Sequence, residues 1–297
     1  MKLAFKIDVD TYQGTKIGVE NFRRFFGAEG IRPTFLFSLG KDQMGRSIFR
    51  VFKKGFIRKC LKSNVAGNYG VRTLLYGTLL PSPVISKKCG GLIKAVSDDG
   101  FECGVHSWNH YYWQNKLFKL SPEQVRAEFM KAYEALKELT GKKCATCGSP
   151  AWQVSEPYLE VEDELGLDYA SDVRGSSAFN SEMGGRFFKT LQIPSTLYTL
   201  DEVLCDRKIG ELADLYTKQI LSSDFSVMTI HAELEGAAYF EWFKDFVRRL
   251  KSIGVEFVNL GDYAKQIDRS KIPTCRIIMD DFYNRSGRLA VQGQKCT

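Results

Sequence analysis

Short apolar runs alternate with amphipathic segments along most of the 297-residue chain. Apolar runs that predict strands occur at 3–9, 33–39, 101–105, 144–148, 168–171, 188–193, 226–230 and 255–258. Segments with apolar residues at helical spacing predict helices at 19–29, 122–140, 158–164, 212–221 and 240–253. This alternation favours a parallel sheet with helical crossovers, and about seven strands suit a barrel.

One segment carries the whole excess of positive charge. Residues 43–97 contain eleven Lys or Arg and no Asp or Glu, whereas the rest of the chain has 31 basic and 35 acidic residues. The formal net charge of +7 therefore belongs to this segment. We predict an α/β barrel domain over 1–265, interrupted by a basic insert at 43–97, and a C-terminal extension over 266–297.

The pattern inside the insert predicts a basic amphipathic helix, with Phe49, Phe52, Phe56 and Cys60 at helical spacing. Such helices lie on anionic membrane surfaces, and each cation near the leaflet contributes about 1 kcal/mol. One alternative is a solvated helix that packs its apolar stripe on the barrel. Another is nucleic-acid binding, but no nucleic-acid module is recognisable, so nucleic acid is not an expected partner. The predicted membrane-interface residues are Arg46, Arg50, Phe52, Lys53, Lys54, Phe56, Arg58 and Lys59.

The predicted compartment is the cytoplasm. Lys6 and Asp8 follow closely on Met1, which leaves no apolar region of a signal peptide. The uncharged run 73–86 is too short to cross a bilayer of about 30 Å, and we expect it to enter the membrane interface or to cover the site. Eight cysteines without a signal indicate reduced thiols. Cys144 and Cys147 lack the second pair of a zinc ribbon, and a redox role is a weaker alternative.

Polar residues follow four of the predicted strands, at the ends where parallel α/β folds build their sites. Each group alone has a structural interpretation, as a helix cap, a turn or a packed histidine. Together they use all three histidines of the chain. The residues are Asp8 and Asp10, His106 and His110, Asp172 and Arg174, and His231 and Glu233.

The histidine spacing indicates a metal site. A separation of four places His106 and His110 on one helical face, within reach of one ion. An added aspartate completes three ligands and leaves a position for water, as in catalytic metal sites. The other aspartate can then take a proton, and His231 can protonate a leaving amine. Two histidines and one carboxylate suit zinc, with cobalt, manganese or iron as alternatives.

The order of these motifs resembles the polysaccharide deacetylase, or NodB-homology, superfamily over roughly residues 3–265. The resemblance implies a distorted (β/α)7 barrel that hydrolyses an amide on a sugar nitrogen. The matching motifs are Ile7-Asp8-Val9-Asp10-Thr11 and His106-Ser107-Trp108-Asn109-His110. The resemblance assigns one divalent metal to Asp10, His106 and His110. It makes Asp8 the base and His231 the acid, with the roles of Asp8 and Asp10 open to exchange, and makes Asp172 the residue that orients His231.

The loop after residues 144–148 departs from the superfamily pattern, because it lacks the arginine that pairs with the base. Arg174 is the expected substitute. Trp152, in the same loop, is expected either to form a sugar-stacking wall or to lie in the core. Glu233 is expected to bind substrate.

Within the superfamily, the chain is similar to deformylases that act on undecaprenyl-phosphate 4-deoxy-4-formamido-L-arabinose. The similarity implies release of formate from this lipid-linked amino sugar at the inner face of the cytoplasmic membrane, for lipid A modification and polymyxin resistance. The alternatives are deacetylation of another lipid-linked amino sugar and a non-catalytic lipid-binding protein on a deacetylase scaffold. The oligomeric state is left open. The stretches that carry the similarity are 44–46, 192–194, 201–203 and 229–236.

Overall fold

The computed structural model of the chain describes residues 1–46 and 71–296. Arg46 is the one predicted membrane-interface residue within these ranges. The remaining seven lie outside the described residues: Arg50, Phe52, Lys53, Lys54, Phe56, Arg58 and Lys59.

Eleven strands form one sheet in the described part of the chain. They are β1 Lys2–Val9, β2 Thr34–Ser38, β3 Glu102–Ser107, β4 Thr146–Cys147, β5 Tyr169–Ala170, β6 Phe179–Met183, β7 Arg186–Gln192, β8 Phe225–His231, β9 Glu256–Phe257, β10 Thr274–Asp280 and β11 Leu289–Lys295.

Ten α-helices accompany these strands within residues 1–46 and 71–296, and two π-helical turns, Gly14–Val19 and Leu234–Ala238, contact each other. The helix predicted over 122–140 is confirmed, and Ser121 and Gln124 form the reciprocal cap at its start. The helices are α1 Glu20–Glu29, α2 Val71–Leu75, α3 Ile85–Asp98, α4 His110–Lys116, α5 Pro122–Thr140, α6 Glu156–Leu165, α7 Leu200–Val203, α8 Ile209–Leu221, α9 Phe240–Ser252 and α10 Leu260–Gln266.

Seven parallel strands make the scaffold, in the order β7-β5-β4-β3-β2-β1-β8. In the described ranges no strand ladder joins β7 to β8. The gap between these two end strands is instead bridged by hydrogen bonds: the amides of Thr196 and Leu197 donate to the Val227 carbonyl of β8, at 3.0 and 3.2 Å. The predicted α/β architecture is confirmed. The two ends of the parallel scaffold, β7 and β8, are joined by the loop at residues 196–197 rather than by a strand ladder.

The end of the chain continues the sheet. β6 turns back antiparallel to β7, β10 pairs with β6, and β11 pairs with β10. β11 also returns to the scaffold, because the Arg174 amide donates to Ala290 and the Gln292 amide donates to Arg174. The predicted extension over 266–297 is thus built into the sheet over residues 274–295.

An aromatic cluster fixes β1, the strand that carries Asp8 and leads into Asp10. Phe5 of β1 packs against Phe26 of α1 and Phe243 of α9, with ring centroids 5.5 and 5.4 Å apart. Phe22 of α1 contacts the same two helical rings. Buried aromatic pairs stabilise beyond the area they bury, so the aromatic cluster holds β1, α1 and α9 as one unit.

The π-helical turn Gly14–Val19 lies directly against the backbone that follows β8. A Cβ atom on Gly18 would lie 1.8 Å from the carbonyl oxygen of Ala232, the residue after His231. Gly27 of α1 differs, because nothing lies within 4 Å of a Cβ added there. Position 18 therefore requires glycine, whereas position 27 has room for a side chain.

We predict opposite stability effects for two glycine-to-alanine substitutions. Gly18→Ala forces two backbone segments apart and should lower the free energy of unfolding by about 1–3 kcal/mol or more. Gly27→Ala should raise it by roughly 0.5–1 kcal/mol, because alanine is the better helix former. Urea denaturation of both variants measures the difference, and equal shifts would contradict the close packing at Gly18.

Candidate active site

The carboxyl ends of β1, β3 and β8 meet at one buried site. Asp8 lies opposite His231 in the register of β1 and β8, and Asp10 follows two residues later. Both aspartates reach the same side of the sheet edge, because a carboxylate oxygen of each lies within 4.0 Å of the His106 imidazole. His106 is the second-last residue of β3 and His110 begins α4, and all five side chains are at most 8% exposed.

Asp10, His106 and His110 form a cluster of three possible metal ligands. The Asp10 carboxylate oxygens lie 3.2 Å from His106 Nε2 and 3.4 Å from His110 Nε2. One donor atom from each residue lies within 4.8 Å of the other two. The histidines meet across a strand end and a helix start, so the prediction that they share one helical face is wrong, although they do converge.

The chemistry of these donors fits a divalent cation. The Nδ1 atom of His106 lies 2.6 Å from the Gly148 carbonyl oxygen, which only accepts, so Nδ1 carries the proton. In the neutral ring, Nε2 of His106 then turns a lone pair toward the Asp10 carboxylate, whose Oδ1 is buried without a hydrogen-bond partner. Two lone pairs that face each other are stabilised by a cation that both coordinate.

The charge states of the other two donors agree with this fit. Burial opposes ionisation of Asp10, but the imidazoles of His110 and His106 outweigh burial and lower its pKa. Burial lowers the pKa of His110 to about 4 despite the charge of Asp10. Asp10 is therefore a carboxylate and His110 a neutral imidazole, the forms that bind metal.

Asp8 pairs with Lys6, which the sequence analysis did not assign to the site. The Lys6 ammonium lies 3.6 Å from the Asp8 carboxylate and donates to the Ser171 carbonyl at 2.8 Å. Lys6 is fully buried. A buried charge needs a partner of opposite sign, and Lys6 supplies it to Asp8.

Arg174 does not pair with Asp8, so its expected role is wrong. It forms an ion pair with Glu202 at 3.3 Å and lies over the rings of Trp152 and Phe282, at 4.8 and 4.5 Å from their centroids. The reason is topological, because the backbone of residue 174 bonds to β11 on the side of the extension. Lys6 occupies the position expected for an arginine.

Acidic groups surround His231. Its amide donates to Glu235 at 2.9 Å, and its Nδ1 atom is buried without a hydrogen-bond partner. Burial alone would lower the pKa of His231, but Asp201 and the other nearby carboxylates outweigh burial and raise it to about 8. Asp201 is the largest single cause of this increase, so His231 is protonated near neutral pH.

Asp172 does not orient His231, and this prediction is wrong. Its carboxylate accepts from the Ser149 amide at 2.7 Å, from the Tyr158 hydroxyl at 3.0 Å and from the Gln192 side chain at 3.0 Å. No hydrogen bond or ion pair joins Asp172 to His231 in the described part of the chain. The short β5 strand directs Asp172 toward β4, α6 and β7 instead.

The two predicted substrate-binding residues, Trp152 and Glu233, are buried, and each is only 2% exposed. Trp152 lies against Lys6 and Arg174 and donates to Ser195, which supports its alternative place in the core. Glu233 accepts from the amides of Asp10 and Thr11, at 3.1 and 2.8 Å. It therefore holds the turn that positions Asp10 and has no open face for substrate.

The seven described cysteines are free thiols. Cys144 and Cys147 are buried, and burial raises the pKa of both thiols, to about 11 for Cys144. A redox-active pair requires an accessible thiol of lowered pKa, so this geometry does not support the redox alternative.

The fold and the buried site are those of a hydrolase of the deacetylase and deformylase kind, and comparisons with known proteins narrow the class. The model of the polysaccharide deacetylase family matches residues 76–170. A Shewanella sediminis protein is 36% identical over 297 residues, covering 98% of this chain and 94% of the relative. A Wigglesworthia glossinidia brevipalpis protein is 32% identical, covering 94% and 98%. Each is named a probable 4-deoxy-4-formamido-L-arabinose-phosphoundecaprenol deformylase ArnD. The chain belongs to the ArnD-type branch of the polysaccharide deacetylase superfamily.

Solved structures share the fold at low sequence identity. A provisionally assigned polysaccharide deacetylase from Mycobacterium smegmatis superposes with a TM-score of 0.65 at 13% identity, covering 95% of this chain and 94% of that one. A probable polysaccharide deacetylase from Pseudomonas aeruginosa gives 0.57 at 14%, with 89% of each chain covered. A family 4 acetyl xylan esterase from Clostridium thermocellum, in complex with a cobalt ion, gives 0.53 at 14%, covering 92% and 97%.

We predict that the Lys6–Asp8 pair is essential for stability. Lys6→Met leaves a buried carboxylate without its cation and should lower the free energy of unfolding by about 3–5 kcal/mol. Lys2→Met on the same strand removes an exposed pair with Glu256 and should change it by less than about 1 kcal/mol. Chemical denaturation compares the two variants, and equal small losses would contradict the pairing.

Proposed function

We propose that the protein removes the formyl group from undecaprenyl-phosphate 4-deoxy-4-formamido-L-arabinose, which yields formate and the free amino sugar lipid. The observation that carries the proposal is the meeting of Asp8 and His231 beside the Asp10–His106–His110 cluster. The names of the two relatives supply the substrate. We also propose that this product serves lipid A modification and polymyxin resistance, as the sequence similarity to deformylases of this lipid-linked sugar implies.

A divalent metal is part of the proposal, with zinc first and cobalt, manganese or iron as alternatives. Asp10, His106 and His110 would hold it. When bound, such a metal polarises the formyl carbonyl and lowers the pKa of the attacking water. The cobalt ion in the related acetyl xylan esterase structure supports a metal in this fold family.

The remaining chemistry belongs to the side chains on either side of this cluster. Asp8, which lies 3.6 Å from the Lys6 ammonium, takes a proton from the attacking water. The oxygen of that water becomes part of formate as the carbon–nitrogen bond breaks. His231, whose pKa is raised to about 8 by Asp201 and the other nearby carboxylates against the effect of burial, donates its proton to the departing sugar nitrogen. Loss of the proton from Asp8 and reprotonation of His231 then restore both groups, so that in the net reaction the water is divided between formate and the amine.

We further propose that the protein works at the anionic inner face of the cytoplasmic membrane, where a polyprenyl substrate remains. An apolar tip, formed by Leu79 and Leu80, is 81% and 37% exposed. Tyr76, at the base of this tip, packs edge-on against Tyr12, two residues after Asp10. The exposed Arg46 donates to Gly77 in the same turn, so apolar and cationic groups lie together near the site. In residues 1–46 and 71–296, no helix combines the length and apolar character needed to cross a membrane.

We predict that the purified protein with added metal releases formate from the formamido-arabinose phospholipid and little acetate from its acetamido analogue. His106→Ala should lose both bound metal and activity, because it removes one of three ligands. Lys2→Met serves as the control that keeps both. Acetate without formate would instead favour the deacetylase alternative. Lipid binding without hydrolysis would favour the non-catalytic alternative.

We predict that Leu79→Glu weakens binding to anionic liposomes by about tenfold or more, because it replaces an apolar side chain inserted into the interface. Phe187→Glu is the matched control. Phe187 is 71% exposed near the start of β7, at the end of the parallel strands opposite the site. Vesicle co-sedimentation measures both variants, and equal losses or no loss at Leu79 would contradict a membrane-facing tip.

A further inference from the structure

A single peptide group links the proposed metal site to a buried carboxylate outside it. The carbonyl of Gly148 accepts from His106 Nδ1 at 2.6 Å. The amide of Ser149, which belongs to the same peptide bond, donates to Asp172 Oδ1 at 2.7 Å. All four residues are buried, so the hydrogen bonds run from Asp172 to His106 without passing through solvent.

Asp172 has the environment of an ionised group. The Ser149 amide, the Tyr158 hydroxyl and the Gln192 side chain all donate to it. The Gln192 orientation is fixed, since its oxygen accepts from the Asp172 amide. In the described residues no lysine or arginine forms an ion pair with Asp172, so its charge is directed to these three donors. A buried charge held by hydrogen bonds alone is costly, which points to a role beyond packing.

Glu162 beside it has a different role. It contacts Cys147 at 3.7 Å and Gln192 at 3.4 Å. Burial and the adjacent Asp172 charge raise its pKa well above the usual range, so Glu162 is neutral. The network thus contains two fully buried acids, a neutral Glu162 and an Asp172 whose carboxylate accepts from three donors.

The linking peptide is held firmly in place. The Gly148 amide donates to Val105, the residue before His106, at 3.0 Å. A Cβ on Gly148 would lie 2.5 Å from Leu36 and 3.0 Å from Lys6, so the backbone fills the space where a side chain would be. The peptide has little freedom to turn away from His106.

We propose that Asp172 is a positioning residue that acts on His106 through the Gly148–Ser149 peptide. Its charge polarises the peptide, which strengthens the Gly148 carbonyl as an acceptor from His106 Nδ1. This fixes the tautomer and ring orientation of His106 and makes its Nε2 a stronger ligand, as a directly bonded carboxylate does for other metal-binding histidines. The proposal rests on the metal site proposed above.

The test compares Asp172→Asn with Glu162→Gln, two acid-to-amide changes in one buried network. Cobalt(II) affinity of the apo-protein and the visible spectrum of the cobalt complex are measured for both. Asp172→Asn should weaken binding by about 10-fold or more and alter the spectrum. Glu162→Gln, which replaces a neutral acid, should do neither. Equal effects of the two variants, or no effect of Asp172→Asn in a folded protein, would overturn the proposal.

Two further results distinguish a failure of the proposed metal site from a failure of the positioning role of Asp172. If wild-type protein binds no metal, the metal site itself fails. If it binds two ions and Asp172→Asn loses only one, the Cys147–Glu162–Asp172 group is a second metal site, and the positioning role is wrong. Should Asp172→Asn not fold, nitrogen-15 NMR of wild-type apo-protein decides the question. His106 must carry its proton on Nδ1, with a far-downfield proton signal, and a proton on Nε2 would contradict the proposal.

Discussion

The buried carboxylate of Asp10, between the Nε2 atoms of two histidines, is the constraint on which the site depends. A charge at this depth is stable only beside compensating groups, and the surrounding sequence supplies them. Lys6 compensates the neighbouring Asp8. Glu233 holds the Asp10 turn through two amides, while burial and the Asp10 charge raise its pKa to about 8, which limits further negative charge. The acids around the site are therefore divided into charged and neutral forms by their contacts.

The fold positions these groups through backbone contacts rather than long side chains. β1 lies between β2 and β8 in the parallel scaffold, so both aspartates emerge where His231 ends the adjacent strand. Gly18 lets the first π-helical turn lie against the backbone after His231. Gly148 lets its carbonyl reach His106. Because both positions are glycine, the backbone can approach closely enough to hold the side chains of the candidate site in place.

The sequence predicted the scaffold and the grouping of Asp8, Asp10, His106, His110 and His231, because strand periodicity and strand-end position are local properties. It misassigned Asp172 and Arg174, since the direction of side chains after a two-residue strand depends on tertiary pairing. Lys6 was detectable, because it lies two residues before Asp8 on the same strand face. The strand β6 was missed because Asn180 and Glu182 interrupt its apolar pattern.

The central claim is that Asp10, His106 and His110 bind one divalent metal between the proposed base and acid. The most direct measurement is an anomalous difference map from crystals of the protein loaded with cobalt(II). The account predicts one strong peak in contact with Asp10 and with Nε2 of both histidines. A peak at Cys147, Glu162 and Asp172 alone, or none under saturating cobalt, would contradict it.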